Sequence, residues 1–158
     1  MSDSNQKLII INCSKSAEEV LDRQVYICPA EGGAYQHQES RYFGLYKKMT
    51  VSHIANIEAV VRVNTDSSTE FLWGFGGASR EYYQQKALAV AKELRFSREN
   101  PPTDVKVFIL GVLNKTSYRK SSHGSLQGSK QYEDMSEYNV DTAGLIAPKL
   151  YDKTWPKN

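Results

Sequence analysis

The sequence predicts an α+β fold: a small curved sheet or β-barrel of about six strands, with one long and one short helix. Three observations support this class. Short apolar runs rich in β-branched and aromatic residues recur along the chain, which is typical of strands. Residues 80–98 carry one long apolar stripe at helical spacing. The predicted order of elements, β-α-β-β-β-β-α-β, lacks the regular alternation that a doubly wound parallel sheet requires.

The chain begins with a strand, a short helix and a second strand. Lys7–Asn12 is β-branched and too short for a helix. Ser16, with Glu19 three residues later, fits a capping box for a short helix from Ala17 to about Arg23. Gln24–Pro29 is predicted as the second strand, because its final proline and the glycines behind it would end it.

The middle of the chain predicts three further strands. Arg41–Lys47 is aromatic-rich, and Gly44 within it indicates a bulge or a close approach of backbone. Helical and strand periods compete in residues 51–63; a strand is favoured for Ile57–Val63, which is β-branched. Glu70–Phe75 is predicted as a strand that ends in two glycines.

The second half holds the long helix and the most hydrophobic strand. Ser79 is the predicted N-cap of a helix that runs from about Arg80 to Arg98 and ends before Asn100-Pro101-Pro102. The apolar stripe consists of Tyr83, Ala87, Val90, Ala91 and Leu94. Val105–Leu113 is predicted as a central strand. Residues 133–158 have weak periodicity, and we expect them to pack loosely, as loops and a short strand, within a single 1–158 domain.

Composition and charge narrow the class of protein. The chain carries 20 Lys and Arg against 18 Asp and Glu, a formal net charge of +2, so any basic surface must be local. Cys13 and Cys28 lie in strand-like apolar runs and are predicted to be buried thiols in a reducing compartment. No apolar run approaches the ~20 residues that cross a bilayer, and the polar N-terminus lacks signal-peptide features. A cytoplasmic protein without a cofactor is expected.

The stretch from Lys115 to Tyr132 is the strongest candidate for a ligand-binding surface. Its basic residues, which no carboxylate interrupts before Glu133, are Lys115, Arg119, Lys120 and Lys130. Serine hydroxyls, the backbone N–H groups near glycines and these cations are the groups that bind phosphate oxygens. Tyr118 and Tyr132 bracket the stretch and offer rings for base stacking. A solvated flexible loop would show the same composition, so that alternative remains open.

His123 lies inside this stretch and is the histidine best placed for chemistry. It would act as a general acid or base on a phosphoester, or donate a hydrogen bond to a phosphate. The sequence shows no catalytic partner for it, and His37, His53 and His123 lack metal-ligand spacing, so no metal is predicted. Gly76-Gly77-Ala78-Ser79 leads into a helix N-terminus, a general anion site that a turn and an N-cap explain equally well.

Aromatic residues on strand-like segments form a second candidate set. They are Tyr35, Tyr42, Phe43, Tyr46, Trp73 and Phe75. Strand alternation places Trp73 and Phe75 on one face, and Phe43 opposite Tyr42. We expect some of them in the core. An aromatic pocket beside a basic loop is also how proteins hold an extruded base.

The order of these motifs resembles the PUA-like superfamily, in particular its EVE and YTH branches. The resemblance spans residues 24–132 and rests on the YFGLY strand, the 51–63 region, the helix and the pattern Thr116-x-Tyr118-x-Lys120…Gly124…Gly128. It implies a small β-barrel with flanking helices that holds a modified or flipped base in an aromatic pocket beside a basic surface. The nearest pocket residues by type are Tyr42, Trp73 and Tyr118. The tyrosine-tryptophan pair of many EVE domains is absent, and Val25-Tyr26-Ile27 stands in its place.

Three functions follow from these observations. The leading one is a non-enzymatic nucleic-acid-binding domain, with DNA or RNA as its partner, that reads modified bases in a restriction or antiviral context. In it, the cations and His123 contact phosphates, and the aromatic candidates contact bases. The alternatives are a nuclease or phosphoesterase that uses His123 with Lys120, and a protein-interaction module that binds a protein partner or a second copy of itself.

Overall fold

The computed structural model describes residues 4–121 and 130–156. Over these residues it contains nine strands and three α-helices, so the predicted α+β class with a curved sheet is confirmed. The strands are β1 (Lys7–Asn12), β2 (Val25–Pro29), β3 (Tyr42–Lys47), β4 (Thr50–Asn64), β5 (Thr69–Trp73), β6 (Asp104–Leu110), β7 (Asn114–Lys120), β8 (Lys130–Asp134) and β9 (Lys153–Trp155). The helices are α1 (Ala17–Arg23), α2 (Arg80–Ala91) and α3 (Ala143–Leu150).

The 15-residue strand β4 organises the sheet. On one edge of β4, β7 pairs with its first half and β6 with its second half. On the other edge, β3 pairs with the first half and β5 with the second, and all four pairings are antiparallel. Around the first half the strand order is β9-β7-β4-β3-β1-β8, and around the second half it is β5-β4-β6-β2. The register with β6 shifts between Ile57 and Ala59, so Glu58 lies at a bulge where β4 exchanges one set of partners for the other.

Three apolar clusters form the core, one between the two halves of the sheet and one beneath each of the helices α2 and α3. Strand β1 shows how they are divided: Ile9 and Ile11 belong to the central cluster, whereas Leu8 and Ile10 pack in the α3 cluster. Because both faces of β1 are buried, its sequence is a continuous apolar run rather than an alternating one.

Strand β4 also explains why helical and strand periods compete in residues 51–63. The chain is strand from Thr50 to Asn64, and the helical alternative is wrong. Ile54 packs in the α3 cluster and Ile57 in the central cluster, so both faces of β4 are apolar. The bulge at Glu58 then shifts the alternation by one residue, which mimics helical spacing.

The two predicted helix caps have different outcomes. Ser79 caps α2 as predicted, because its hydroxyl accepts a hydrogen bond from the Tyr82 N–H at 3.1 Å. Ser16 occupies the N-cap position of α1 but makes no side-chain cap hydrogen bond, so the predicted capping box is wrong. Its hydroxyl interacts with the Cys13 thiol instead. Both cysteines are buried and free, as predicted, and burial raises the pKa of each thiol to about 12.

The last part of the chain packs more tightly than its periodicity suggests. Residues 143–150 form α3, with Thr142 as the N-cap, and the helix buries Ala143, Ile146, Ala147 and Leu150. Trp155 on β9 is 1% exposed. The expectation of loosely packed loops is therefore corrected. An eight-residue helix that contains Pro148 is too short to establish a clear 3.6-residue period.

No helix within residues 4–121 and 130–156 is long and apolar enough to span a membrane.

Candidate functional site

The basic stretch does not form one surface. Its described parts are two strands, β7 and β8, which were expected to be a loop. Strands β4, β3 and β1 lie between them in the sheet, so four inter-strand spacings separate β7 from β8. At about 4.8 Å per spacing, this is roughly 19 Å along the sheet. His123 lies outside the described residues, as do the other members of 122–129.

Strand β7 presents two of the predicted cations to solvent. Lys115 and Arg119 are exposed on one face, while Thr116 and Tyr118 are buried on the other, beneath α3. Tyr118 is 0% exposed and packs against Trp155, with ring centroids 6.2 Å apart. Base stacking on Tyr118, as predicted, is therefore incompatible with its place in the core. Lys120 is half-buried at the end of the strand.

Strand β8 places Lys130 and Tyr132 at a different cavity, of about 340 Å³. The Tyr132 hydroxyl accepts a hydrogen bond from the Gln38 N–H at 2.9 Å, and the Lys7 ammonium lies 5.7 Å from its ring centroid. His37 also lines this cavity, and its ring packs edge-on against Phe108 at 5.1 Å. Burial, with nearby lysines, lowers the pKa of His37 to about 3, so the imidazole is neutral near pH 7.

The two predicted base-pocket aromatics belong to the core. Tyr42 is 0% exposed in the α3 cluster, so no base can reach its ring. Trp73 is half-buried and packs edge-on against Phe108, with ring centroids 5.9 Å apart. These contacts orient Trp73 toward the central cluster. The sequence correctly marked both as strand aromatics, but the predicted base pocket between them is not formed.

A different cleft, of about 270 Å³, lies where β4 exchanges partners, and we call it the β4 cleft. Its lining residues are Arg41, Asn56, Ile57, Glu58, Phe75, Gly76 and Gly77. They come from the segment before β3, the centre of β4 and the loop between β5 and α2. The cleft therefore lies between the start of β3 and the end of β5, two strands that pair with β4, and beside the bulge at Glu58.

Glycines hold the β5–α2 loop close to this bulge. The Glu58 carbonyl accepts hydrogen bonds from the N–H groups of Phe75 (3.1 Å) and Gly76 (2.9 Å). A Cβ on Gly74 would lie 2.4 Å from the same carbonyl oxygen, and a Cβ on Gly76 would lie 2.0 Å from the Tyr83 hydroxyl. At Gly74 the clash is with backbone, so only a residue without a Cβ fits, whereas at Gly76 the Tyr83 side chain would have to move.

The β4 cleft contains two opposite charges that do not neutralise each other. The guanidinium of half-buried Arg41 lies 5.9 Å from the ring centroids of Phe75 and Tyr42, and it forms no ion pair with any residue in the described ranges. The Glu58 carboxylate accepts a hydrogen bond from the Tyr83 hydroxyl at 3.3 Å and likewise has no cationic partner among those residues. A ligand that offers both an acceptor and a donor would satisfy this pair.

Both flanking helices begin beside the cleft. The Asn56 side-chain oxygen accepts a hydrogen bond from the Ala143 N–H, the first residue of α3, at 2.9 Å. The Tyr83 hydroxyl accepts one from the Ala78 N–H at 3.2 Å, just before α2. These hydrogen bonds hold the Asn56 amide and the Tyr83 hydroxyl in place at the starts of the two helices. Val112, the residue after Gly111, is 69% exposed.

Sequence reasoning missed most of this site. Gly76-Gly77 before a helix was recognised as a general anion site, and Phe75 as a strand aromatic. Asn56 and Glu58 carried no signal, because a polar residue within a strand is ordinarily a solvent-facing one. Their meeting with Arg41 depends on how three separate segments pair.

Comparisons with known proteins give little beyond general architecture. No protein-family model matches the chain, and no curated protein matches it. Its structure is similar to a crystal structure of a mutant ZmASCH protein from Zymomonas mobilis, at a TM-score of 0.47 and 11% identity. The match covers 87% of this chain and 95% of that one. Function is therefore inferred from the geometry of the β4 cleft.

Proposed function

We propose that this chain is a non-enzymatic nucleic-acid-binding domain that takes an unstacked base into the β4 cleft. The observation that carries the proposal is the presence of Arg41 and Glu58, neither of them ion-paired, in one cleft beside the Phe75 ring. Arginine and carboxylate side chains read the donor and acceptor edges of bases, and an aromatic ring gives a base a surface for stacking.

The size of the cleft favours a single base over a larger ligand. Its volume of about 270 Å³ is just below the range of about 300–1,000 Å³ that is usual for small-molecule sites. A base inside a duplex cannot enter such a cleft, so the nucleic-acid ligand would be single-stranded or have a flipped nucleotide. A reader of modified bases in a restriction or antiviral system is the finer form of this proposal, and it rests on the PUA-like resemblance of the sequence.

The lining of the cleft favours binding over catalysis. Among its described lining residues, Glu58 is the one that could carry a proton or act as a nucleophile, and no Ser, Thr, Cys, Lys or His lines the cleft beside it. Arginine remains protonated at all physiological pH values and serves as a hydrogen-bond donor.

Removing the Arg41 charge is expected to weaken nucleic-acid binding by about 10- to 100-fold. Arg41→Met keeps the apolar stem and removes the hydrogen-bond donors, which are worth about 1.5–3 kcal/mol when charged. The measurement is fluorescence anisotropy with labelled single-stranded DNA and RNA of mixed sequence, at low salt. Arg98→Met, at an exposed position away from the cleft, is the matched control and should bind like the parent protein. Equal affinities for the two variants would rule out the cleft as the binding site.

The exposed cations of β7 are proposed to contact phosphates of neighbouring nucleotides. Thr50 pairs with both Lys47 and Arg119, so these two cations flank it on one face of the sheet. That face of the sheet is opposite the one that α3 covers. Strand β7 begins only a few residues after Gly111, whose N–H donates to the carbonyl of the cleft residue Asn56. The nucleic acid would therefore cross the edge of the sheet near Val112.

Lys115→Ala combined with Arg119→Ala is expected to make binding less sensitive to salt. Each phosphate contact on a single strand contributes about 0.7 to the slope of log K against log salt, so the slope should become shallower by about 1.4. The same anisotropy titration at several salt concentrations measures it. Lys92→Ala with Lys149→Ala removes the same charge at exposed positions on other elements. If this control pair changes the slope equally, the β7 cations act only through net charge.

A further inference from the structure

The β4 cleft contains a particular arrangement of uncommitted hydrogen-bonding groups. On the acceptor side, Glu58 Oε1 receives the Tyr83 hydroxyl, while Oε2 has no hydrogen-bond partner among residues 4–121 and 130–156. A Cβ on Gly111 would lie 3.4 Å from this Oε2 atom. Because position 111 is glycine, the space in front of the free carboxylate oxygen stays open.

On the donor side, two groups remain. The Asn56 side-chain oxygen is occupied by the Ala143 N–H, which fixes the orientation of the amide and leaves its NH₂ group as the group available to a ligand. The Arg41 guanidinium lies near two aromatic rings and makes no hydrogen bond with a described residue. An ionised carboxylate only accepts hydrogen bonds, and a guanidinium only donates them. A ligand that matches the cleft therefore has two or more acceptors facing Arg41 and Asn56, and donors facing Glu58.

Building on the proposed function, we propose that the β4 cleft selects guanine over the other bases. Guanine presents two adjacent donors, the N1–H and the exocyclic amino group, beside its O6 and N7 acceptors. Glu58 would accept from the donors, and Arg41, with the Asn56 amide, would donate to the acceptors. The Phe75 ring, which also lines the cleft, would stack on the base.

The other bases fit this arrangement less well. Adenine and cytosine each offer a single exocyclic amino donor next to a ring acceptor, which would face the Glu58 carboxylate and repel it. Uracil and thymine place their one ring N–H between two carbonyl oxygens, with the same consequence. Loss of one good bidentate pairing corresponds to roughly a 10- to 100-fold preference for guanine.

The test compares labelled single strands in which every base is adenine except one central base. That base is guanine, hypoxanthine (the base of inosine), adenine, cytosine or uracil. Guanine is expected to bind at least about tenfold more tightly than the other bases, with inosine between them, because it lacks the exocyclic amino group. Inosine needs no change to the protein, so this readout is independent of how any variant folds. Titrations with the free nucleotides GMP, IMP, AMP, CMP and UMP run in parallel.

Glu58→Gln is the protein variant that tests the acceptor. It keeps the side-chain shape and an oxygen for the Tyr83 hydroxyl, and it should reduce the preference for guanine by about tenfold, because the amide accepts less well from guanine and no longer repels the ring acceptor of adenine. Glu70→Gln, exposed on β5, is the matched control. Strands that bind without base preference would overturn guanine selection and leave the nucleic-acid function standing. Selective binding of GMP with no binding of any strand would support guanine selection and overturn the nucleic-acid function.

Discussion

Replacing Phe108 by alanine is expected to lower the free energy of unfolding by about 3–5 kcal/mol. Phe108 is fully buried on β6 in the central cluster. Its ring lies 5.7 Å from Tyr26, 5.9 Å from Trp73 and 6.2 Å from Phe43, centroid to centroid. Alanine would leave a cavity between the two halves of the sheet, and strands paired on both edges cannot move inward to fill it.

Chemical denaturation followed by tryptophan fluorescence and circular dichroism measures the loss. Phe71→Ala is the matched control, since Phe71 is half-buried on β5 at the edge of the α2 cluster. The control should cost clearly less, about 1–2 kcal/mol, because part of its surface is already in water. A loss below about 1 kcal/mol for Phe108→Ala would contradict a single packed cluster between the sheet halves.

Trp155→Ala is expected to cost a similar amount, about 3–5 kcal/mol. Trp155 is 1% exposed, and its indole N–H donates to the Tyr118 carbonyl at 3.0 Å. Its ring also packs edge-on against Tyr46, with centroids 5.7 Å apart. The substitution removes a large buried ring and leaves the Tyr118 carbonyl without its partner, and both effects destabilise the folded chain.

This variant tests directly whether the end of the chain is part of the core. Tyr151→Ala is the control from the same segment; Tyr151 is 61% exposed, so the change should alter stability by less than about 0.5 kcal/mol. Trp155→Phe should fall between the two, since it keeps apolar volume and loses the hydrogen bond. Near-parent stability of Trp155→Ala would show that residues 151–156 are loosely attached, as their sequence suggested.

The long strand β4 links these packing effects to the proposed function. The first half of β4 packs in the α3 cluster and the second half in the α2 cluster. Near the bulge between the halves, Asn56 bonds to the first residue of α3, and Glu58 bonds to Tyr83 near the start of α2. The polar cleft residues Arg41, Asn56 and Glu58 are half-buried and lie outside the three clusters, whereas Phe108 and Trp155 are inside them. Binding and stability are therefore expected to respond to different sets of substitutions.

Much of the secondary structure could be predicted from local patterns. Strand β1 and helix α1 have the predicted bounds, and the N-cap of α2 is the predicted serine. Strands β7 and β8 were missed, because their residues are largely polar and take their strand conformation from neighbours in the sheet. The stretch from Lys115 to Tyr132 has the composition of a basic loop, and composition does not show which strands pair.

The sequence by itself determined the α+β class, the buried strands and the amphipathic helix, because hydrophobic periodicity and turn chemistry are local properties. Only the tertiary structure decided which charged residues meet. It separates Lys115 from Lys130 by three intervening strands, buries Tyr42 and Tyr118, and brings Arg41 and Glu58 into one cleft. The physical reason is that strand pairing joins residues distant in sequence, and whether a charge has a partner depends on that pairing.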